Sequence, residues 1–164
     1  MKIHRFTPTH YFNTIGSHEP VLHIAPGDTV ITTTVDAHGQ NAADQTVTAG
    51  PNPMTGPFAV AGATPGDMLE VRIHRVTPSR RFGWSSARLA QNVVDPDFVP
   101  HLPANADGSR PEARWEVDIL AGTATLLWPE TRLGRYVLPL RPMLGCFGVA
   151  AAQGQAISTA TSAE

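Results

Sequence analysis

Asp36-Ala37-His38 is the place in this sequence where an acid and an imidazole stand at a spacing that could do chemistry. Side chains two apart in an extended chain leave the same face, so both groups can reach one metal ion or one water. A hard carboxylate beside a borderline imidazole suits zinc or a similar divalent ion. The competing reading is structural. Asp36 then accepts N–H bonds from its own loop, as Asp does in Asx-turns, and His38 is solvated. His4, His10, His18, His23, His74 and His101 form no His-x-x-x-His or other tight ligand pair.

Cys146 is the lone cysteine and sits between Gly145 and Phe147 in an apolar run. A buried free thiol is ordinarily a small hydrophobe, and a nucleophile needs a basic neighbour that the local sequence lacks. Blue copper would need His and usually Met close after the Cys, and neither follows Cys146. Ser85-Ser86 lacks the Gly-x-Ser-x-Gly elbow of serine hydrolases. Arg80 and Arg81 could hold an anion, but paired surface arginines are ordinarily solvated. Asp28 and Asp67 each follow Pro-Gly and are expected to close their turns by side-chain to backbone bonds. Trp84 and Trp115 are expected as core or interface rings.

Short strands must position these groups. Val21 to Ile24, Pro26-Gly27-Asp28 and the β-branched run Thr29 to Val35 read as strand, turn, strand. The pattern returns as Phe58 to Val60, Pro65-Gly66-Asp67 and Met68 to Val76. In that last run Leu69, Val71 and Ile73 alternate with Glu70, Arg72 and His74, the period-2 signature of one buried and one wet face. Asp36 to Gly56 is a loop of about twenty residues, longer than the 12–15 that compact domains usually tolerate without a function. Its Pro51-Asn52-Pro53-Met54-Thr55-Gly56-Pro57 end is rigid and predicts order. A short helix is expected near Ser85 to Ala90. Strands are expected over Arg114 to Leu120, Thr123 to Leu127 and Tyr136 to Leu140. Met143 to Ala150 reads as a fully buried strand whose glycines admit a close neighbour.

The composition agrees with that reading. The 164 residues carry 14 Gly and 15 Pro, which means many turns, and only 16% charged residues against about 25% in an average chain. The expected class is all-β, a sandwich or barrel-like single domain over 1–164, with long ordered loops and at most one or two short helices. Its length is enough to bury a core. A net charge of −2 gives no footprint for nucleic acid, and no apolar run is long enough to span a membrane. The start, Met1-Lys2-Ile3-His4-Arg5, is unlike a secretory signal, so a cytoplasmic location is expected. Low charge with 41% hydrophobic residues leaves apolar surface for a partner.

Several segments, in order, resemble the acetamidase/formamidase family. They are His10, then PVLHIAPGDTVITTTVDAHG (20–39), GPNPMTGPFAVAGATPGDMLEVRIHRV (50–76), SSARLAQNVVDPDFV (85–99), LPLRPMLGCFGVA (138–150) and GQAISTATSAE (154–164). The Asn-Pro-x-Thr-Gly-Pro stretch followed by Pro-Gly-Asp, and the Arg-Pro-Met-Leu-Gly-x-x-Gly-Val-Ala run, are the specific parts. The resemblance implies a β-rich hydrolase that cleaves a small linear amide to carboxylate and ammonia. It implies a divalent metal, zinc by donor type, and a homo-oligomer. Asp36 would be the metal or substrate-orienting ligand, with His38 second. Asn52, Thr55, Gly145, Cys146 and Gly148 would line the pocket.

The resemblance covers the N-terminal half of the family fold. A His-Gly-Gly-Asn-Met-Asp stretch and the main catalytic residues are expected beyond Glu164, so the chain is expected to be truncated or to need a complementary C-terminal-half chain. The alternative expectation is a non-catalytic β-sandwich binding or assembly module derived from that family.

Overall fold

The computed structural model describes residues 1–16, 18–87, 93–108, 111–150 and 154–157. Runs of β-branched and aromatic residues, cut short by Gly and Pro, form short strands. In chain order they are β1 (Ile3–Arg5), β2 (Thr14–Gly16), β3 (Leu22–Ile24), β4 (Thr29–Ile31), β5 (Phe58–Val60), β6 (Phe82–Ser86), β7 (Glu112–Asp118), β8 (Thr123–Trp128), β9 (Val137–Pro139) and β10 (Gln155–Ile157). The class is all-β, and the sheets are open. The chain divides into two units, Met1–His74 with the segment from Leu144 onward, and Arg75–Met143.

The first unit holds three two-stranded sheets. β1 pairs parallel with β4, β3 pairs parallel with β5, and β2 pairs antiparallel with β10. The Pro-Gly-Asp turn at 26–28 therefore does not make a hairpin. It joins β3 to β4, which belong to different sheets. The expected strand over Thr29 to Val35 ends at Ile31, because β1 offers only three partner residues. Beyond that point the Thr33 carbonyl is taken by the Thr55 hydroxyl at 2.9 Å.

The second unit is an antiparallel meander in the order β6-β7-β8-β9. The alternation expected for β7 is present. Gly83 and Ser85 of β6, Ala113, Trp115 and Val117 of β7, and Ala124 and Leu126 of β8 share one face. Glu112, Arg114 and Glu116 lie on the other. A register shift between Arg114 and Trp115 sets Arg114 opposite Trp128. Trp115 is half-buried, donates from Nε1 to the Ser85 hydroxyl at 3.0 Å, and lies 6.2 Å from the Tyr136 ring. Ser85 and Ser86, expected to open a helix, are in β6 instead, and 88–90 lie outside the described residues. A 3-10 helix forms at Pro96–His101, where Asp95 caps the N–H of Asp97 and Pro96 occupies the first turn.

Two expected strands are not strands here. Met68 to Val76 has the right period but pairs with nothing described, and residues 68–75 are exposed. Met143 to Ala150, expected as a buried strand, has no ladder among the described residues, and its Met143, Phe147 and Val149 are 80%, 60% and 67% exposed. Periodicity supplies a face, but a strand also needs a neighbour to complete its hydrogen bonds. Among the described residues the buried apolar side chains are Pro53, Leu102 and Ala113. A length sufficient for a core thus leaves its apolar faces largely open. Two-stranded pairs of three residues cover little surface.

Candidate functional site

The 36–56 loop is ordered by its own polar groups. The Asp36 carboxylate accepts from the backbone N–H of His38 and of Gln40, both at 2.9 Å. Asp36 N–H donates to the Gln40 carbonyl at 3.0 Å, and Gly39 N–H to the Asp36 carbonyl at 2.9 Å. Asn41 repeats the device, with its side-chain oxygen accepting from Ala43 and Gln45. Gly39 is buried with φ +81, and a Cβ there would collide with the Thr48 carbonyl. Only glycine fits that approach.

The far end of the loop folds back on its start. Asn52 N–H donates to the Ala37 carbonyl at 2.8 Å. Met54 and Phe12 exchange backbone bonds in an isolated bridge. Asn13 then donates from Nδ2 to the carbonyls of Ala49 (3.2 Å) and Pro51 (2.6 Å). Asp36, His38, Asn52 and Thr55 are therefore held in one hydrogen-bonded loop. His38 is exposed, whereas Asp36, Asn52 and Thr55 are half-buried.

Asn52 has φ +49, a left-handed conformation that costs a side-chain-bearing residue about 1–2 kcal/mol. Asn bears that conformation better than most residues. Its carboxamide has no partner among the described residues, so it offers one donor and one acceptor face.

Cys146 also has a left-handed backbone, φ +51, and is half-buried. Gly145 faces open space, and a Cβ on Gly148 would come within 2.9 Å of Ile15 Cδ1. The segment 12–16 thus touches the loop through Phe12 and Asn13 and the 148 region through Ile15. No hydrogen bond joins Gly145 or Cys146 to Asn52 or Thr55 among the described residues. Asn13, which ties the loop down, was not foreseeable. Its partners lie 36 and 38 residues away, and nothing local marks it.

A second polar centre also escaped local reading. His4 Nε2 bonds Asp28 Oδ2 at 2.9 Å, with both side chains about one-tenth exposed. Asp28 further accepts from Lys2 N–H at 2.7 Å and Ala25 N–H at 3.1 Å. The His4 bond, followed by these N–H groups, holds the Asp28 carboxyl at about 2, below its ordinary value. Asp67 accepts from the Thr64 N–H at 2.7 Å and hydroxyl at 3.0 Å, which likewise keep its carboxyl low. Both aspartates close their turns as expected. His18 stacks on Phe12 at 3.9 Å and bonds the Thr14 hydroxyl at 2.8 Å.

In the second unit, Leu126, Leu127, Pro129, Glu130, Thr131 and Gly134 line a shallow cleft of about 270 Å³. It contains none of the residues expected to line a pocket. Among the described residues no group of three or more His, Cys, Asp or Glu side chains is placed to hold a metal ion. No helix is long and apolar enough to cross a membrane. No protein-family model, curated protein or solved structure matches the chain.

Proposed function

We propose that this chain is an amidohydrolase of the acetamidase/formamidase type, acting on a small linear amide. The observation that carries the reading is the run Asn52-Pro53-Met54-Thr55-Gly56-Pro57, followed at Pro65-Gly66-Asp67 and again at Arg141 to Ala150 by the segments that resemble that family. Water adds to the amide carbonyl, the C–N bond breaks, and the nitrogen leaves as ammonia with the carboxylate as the second product.

Asn52 is the residue on which we place substrate orientation. Its carboxamide, without a partner among the described residues, matches a primary amide donor for acceptor and acceptor for donor. Thr55 and the 145–148 backbone support the pocket wall. A divalent ion, zinc by the donor types at Asp36 and His38, belongs to the same proposal. Catalytic zinc takes three protein ligands and an open position. Two donors do not meet that number, and the Asp36 carboxylate already bonds two N–H groups. No step is therefore routed through the ion. The family resemblance puts the further ligands in a complementary C-terminal half.

A second reading rests on that same carboxylate. Asp36 satisfies its own turn, as a binding or assembly module without chemistry would require. Ammonia release from formamide and acetamide separates the two, measured on the 164-residue chain with zinc added, alone and with a C-terminal-half chain. Release in either arm supports the amidase. Folded protein that releases none in both arms ends that assignment and leaves the binding module.

A further inference from the structure

The segment Met68 to His74 has strand chemistry and no strand partner. Met68, Leu69, Val71 and Ile73 are 96%, 42%, 55% and 58% exposed. The Arg72 guanidinium lies 2.6 Å from the Glu70 carboxylate, both more than two-thirds exposed. That contact between residues two apart is what an extended chain produces, since it sets alternate side chains on one face. No Gly or Pro interrupts the run, and its backbone makes no hydrogen bond to other described residues.

We propose that this segment pairs antiparallel with the same segment of a second copy, with Val71 on the two-fold axis. In that register Val71 faces the partner's Val71, and Leu69 faces the partner's Ile73. Both copies contribute to one unbroken apolar face. On the opposite face Glu70 sits against the partner's Arg72, and Arg72 against the partner's Glu70. Met68 sits against the partner's His74. Opposite charges directly across a strand pair stabilise it, and like charges destabilise it.

The alternatives are worse on the same residues. Moving the axis by one residue to Glu70 sets Glu70 against the partner's Glu70. Moving it to Arg72 sets Arg72 against the partner's Arg72. Half-step slips put Leu69 opposite the partner's Arg72, or Ile73 opposite the partner's Glu70. A parallel in-register pair stacks every charge on its like. The register is therefore specified by charge and by hydrophobic pattern together. The contact is isologous and closes as a dimer. It is independent of the amidase reading.

The test is sedimentation equilibrium of the full chain and of three variants, Glu70→Arg, Arg72→Glu and the double exchange. The expected result is a dimer for the unaltered chain. Each single reversal, which sets like charges across the pair, weakens it at least tenfold. The double exchange restores it. Far-ultraviolet circular dichroism of all four should match at dilutions where each is monomeric, because both side chains are exposed. A monomeric unaltered chain at 100 µM, single reversals that leave the dimer intact, or a double exchange that fails to rescue it would each overturn the proposal.

Discussion

Asp28 and Asp67 occupy equivalent turns, yet Asp28 makes more contacts. Both accept an N–H three residues back, which is local and repeats wherever Pro-Gly-Asp occurs. Asp28 alone also holds His4 and the Lys2 N–H, so it fastens β1 beside β4. Its carboxyl titrates at about 2 when folded and near 3.9 when unfolded. The unfolded chain therefore takes up the proton first as pH falls. The stabilisation is fully present above about pH 4 and is lost as pH approaches 2. Asp67 acts in the same direction. We expect the melting temperature to fall between pH 4 and 2, and the fall to be shallower in Asp28→Asn. Thermal melts across that range, followed by circular dichroism, measure it. An identical pH profile in the variant would remove Asp28 from the account.

Asn52 is the other residue-scale test. Asn52→Gly keeps the left-handed backbone and deletes the carboxamide. Under the amidase proposal it folds normally and loses at least tenfold in kcat/KM, about 1.4 kcal/mol of transition-state binding. Steady-state ammonia assays in the active assembly decide it. Unchanged kcat/KM would deny Asn52 a role in binding the amide.

At the scale of elements, the 36–56 loop and β7 depend on small residues for different reasons. Gly39→Ala adds both a left-handed strain and a collision with the Thr48 carbonyl. The strain by itself costs about 1–2 kcal/mol, so the total should exceed that range. Ala113 is buried on the face that carries Trp115, and Ala113→Leu should cost about 1–3 kcal/mol by overpacking. Urea unfolding of both variants measures these losses, with Trp fluorescence as the probe. A loss below 0.5 kcal/mol for either, well under the overpacking range, would contradict the packing described.

β7 and β8 were legible because a long alternating run met a second one across a short turn. Thr29 to Val35 and Met68 to Val76 were equally β-like, but one pairs for three residues and the other with no described residue of its own chain. Propensity reports what a segment fits, whereas pairing depends on a neighbour that the segment does not encode.

Across the whole molecule the two units are built in different ways. Every strand pair of Arg75–Met143 joins consecutive strands. The other unit pairs β1 with β4, β3 with β5, and β2 with β10, where Thr14 bonds Gln155 across 141 residues. Local meanders close small loops and form early, and distant pairs must first overcome a larger loop entropy. We expect amide protection during refolding to arise in β7 and β8 before β2 and β10. Pulsed hydrogen exchange would show it, and simultaneous protection would refute the ordering. Of the candidate site, Asp36, His38, Asn52 and Thr55 stood in one readable loop. The parts that fasten it, Phe12 and Asn13, come from elsewhere in the chain and left no local trace.

The sequence by itself determined the all-β class, the two aspartate-closed turns and the alternation of β7. Each rests on backbone preferences and hydrogen bonds that span a few residues. Only the tertiary structure decided that the first turn joins two sheets, that His4 meets Asp28, and that Met68 to His74 finds no strand partner among the described residues of its own chain. Those outcomes depend on which distant groups come within a hydrogen bond of one another, and proximity in space is a property of the folded chain.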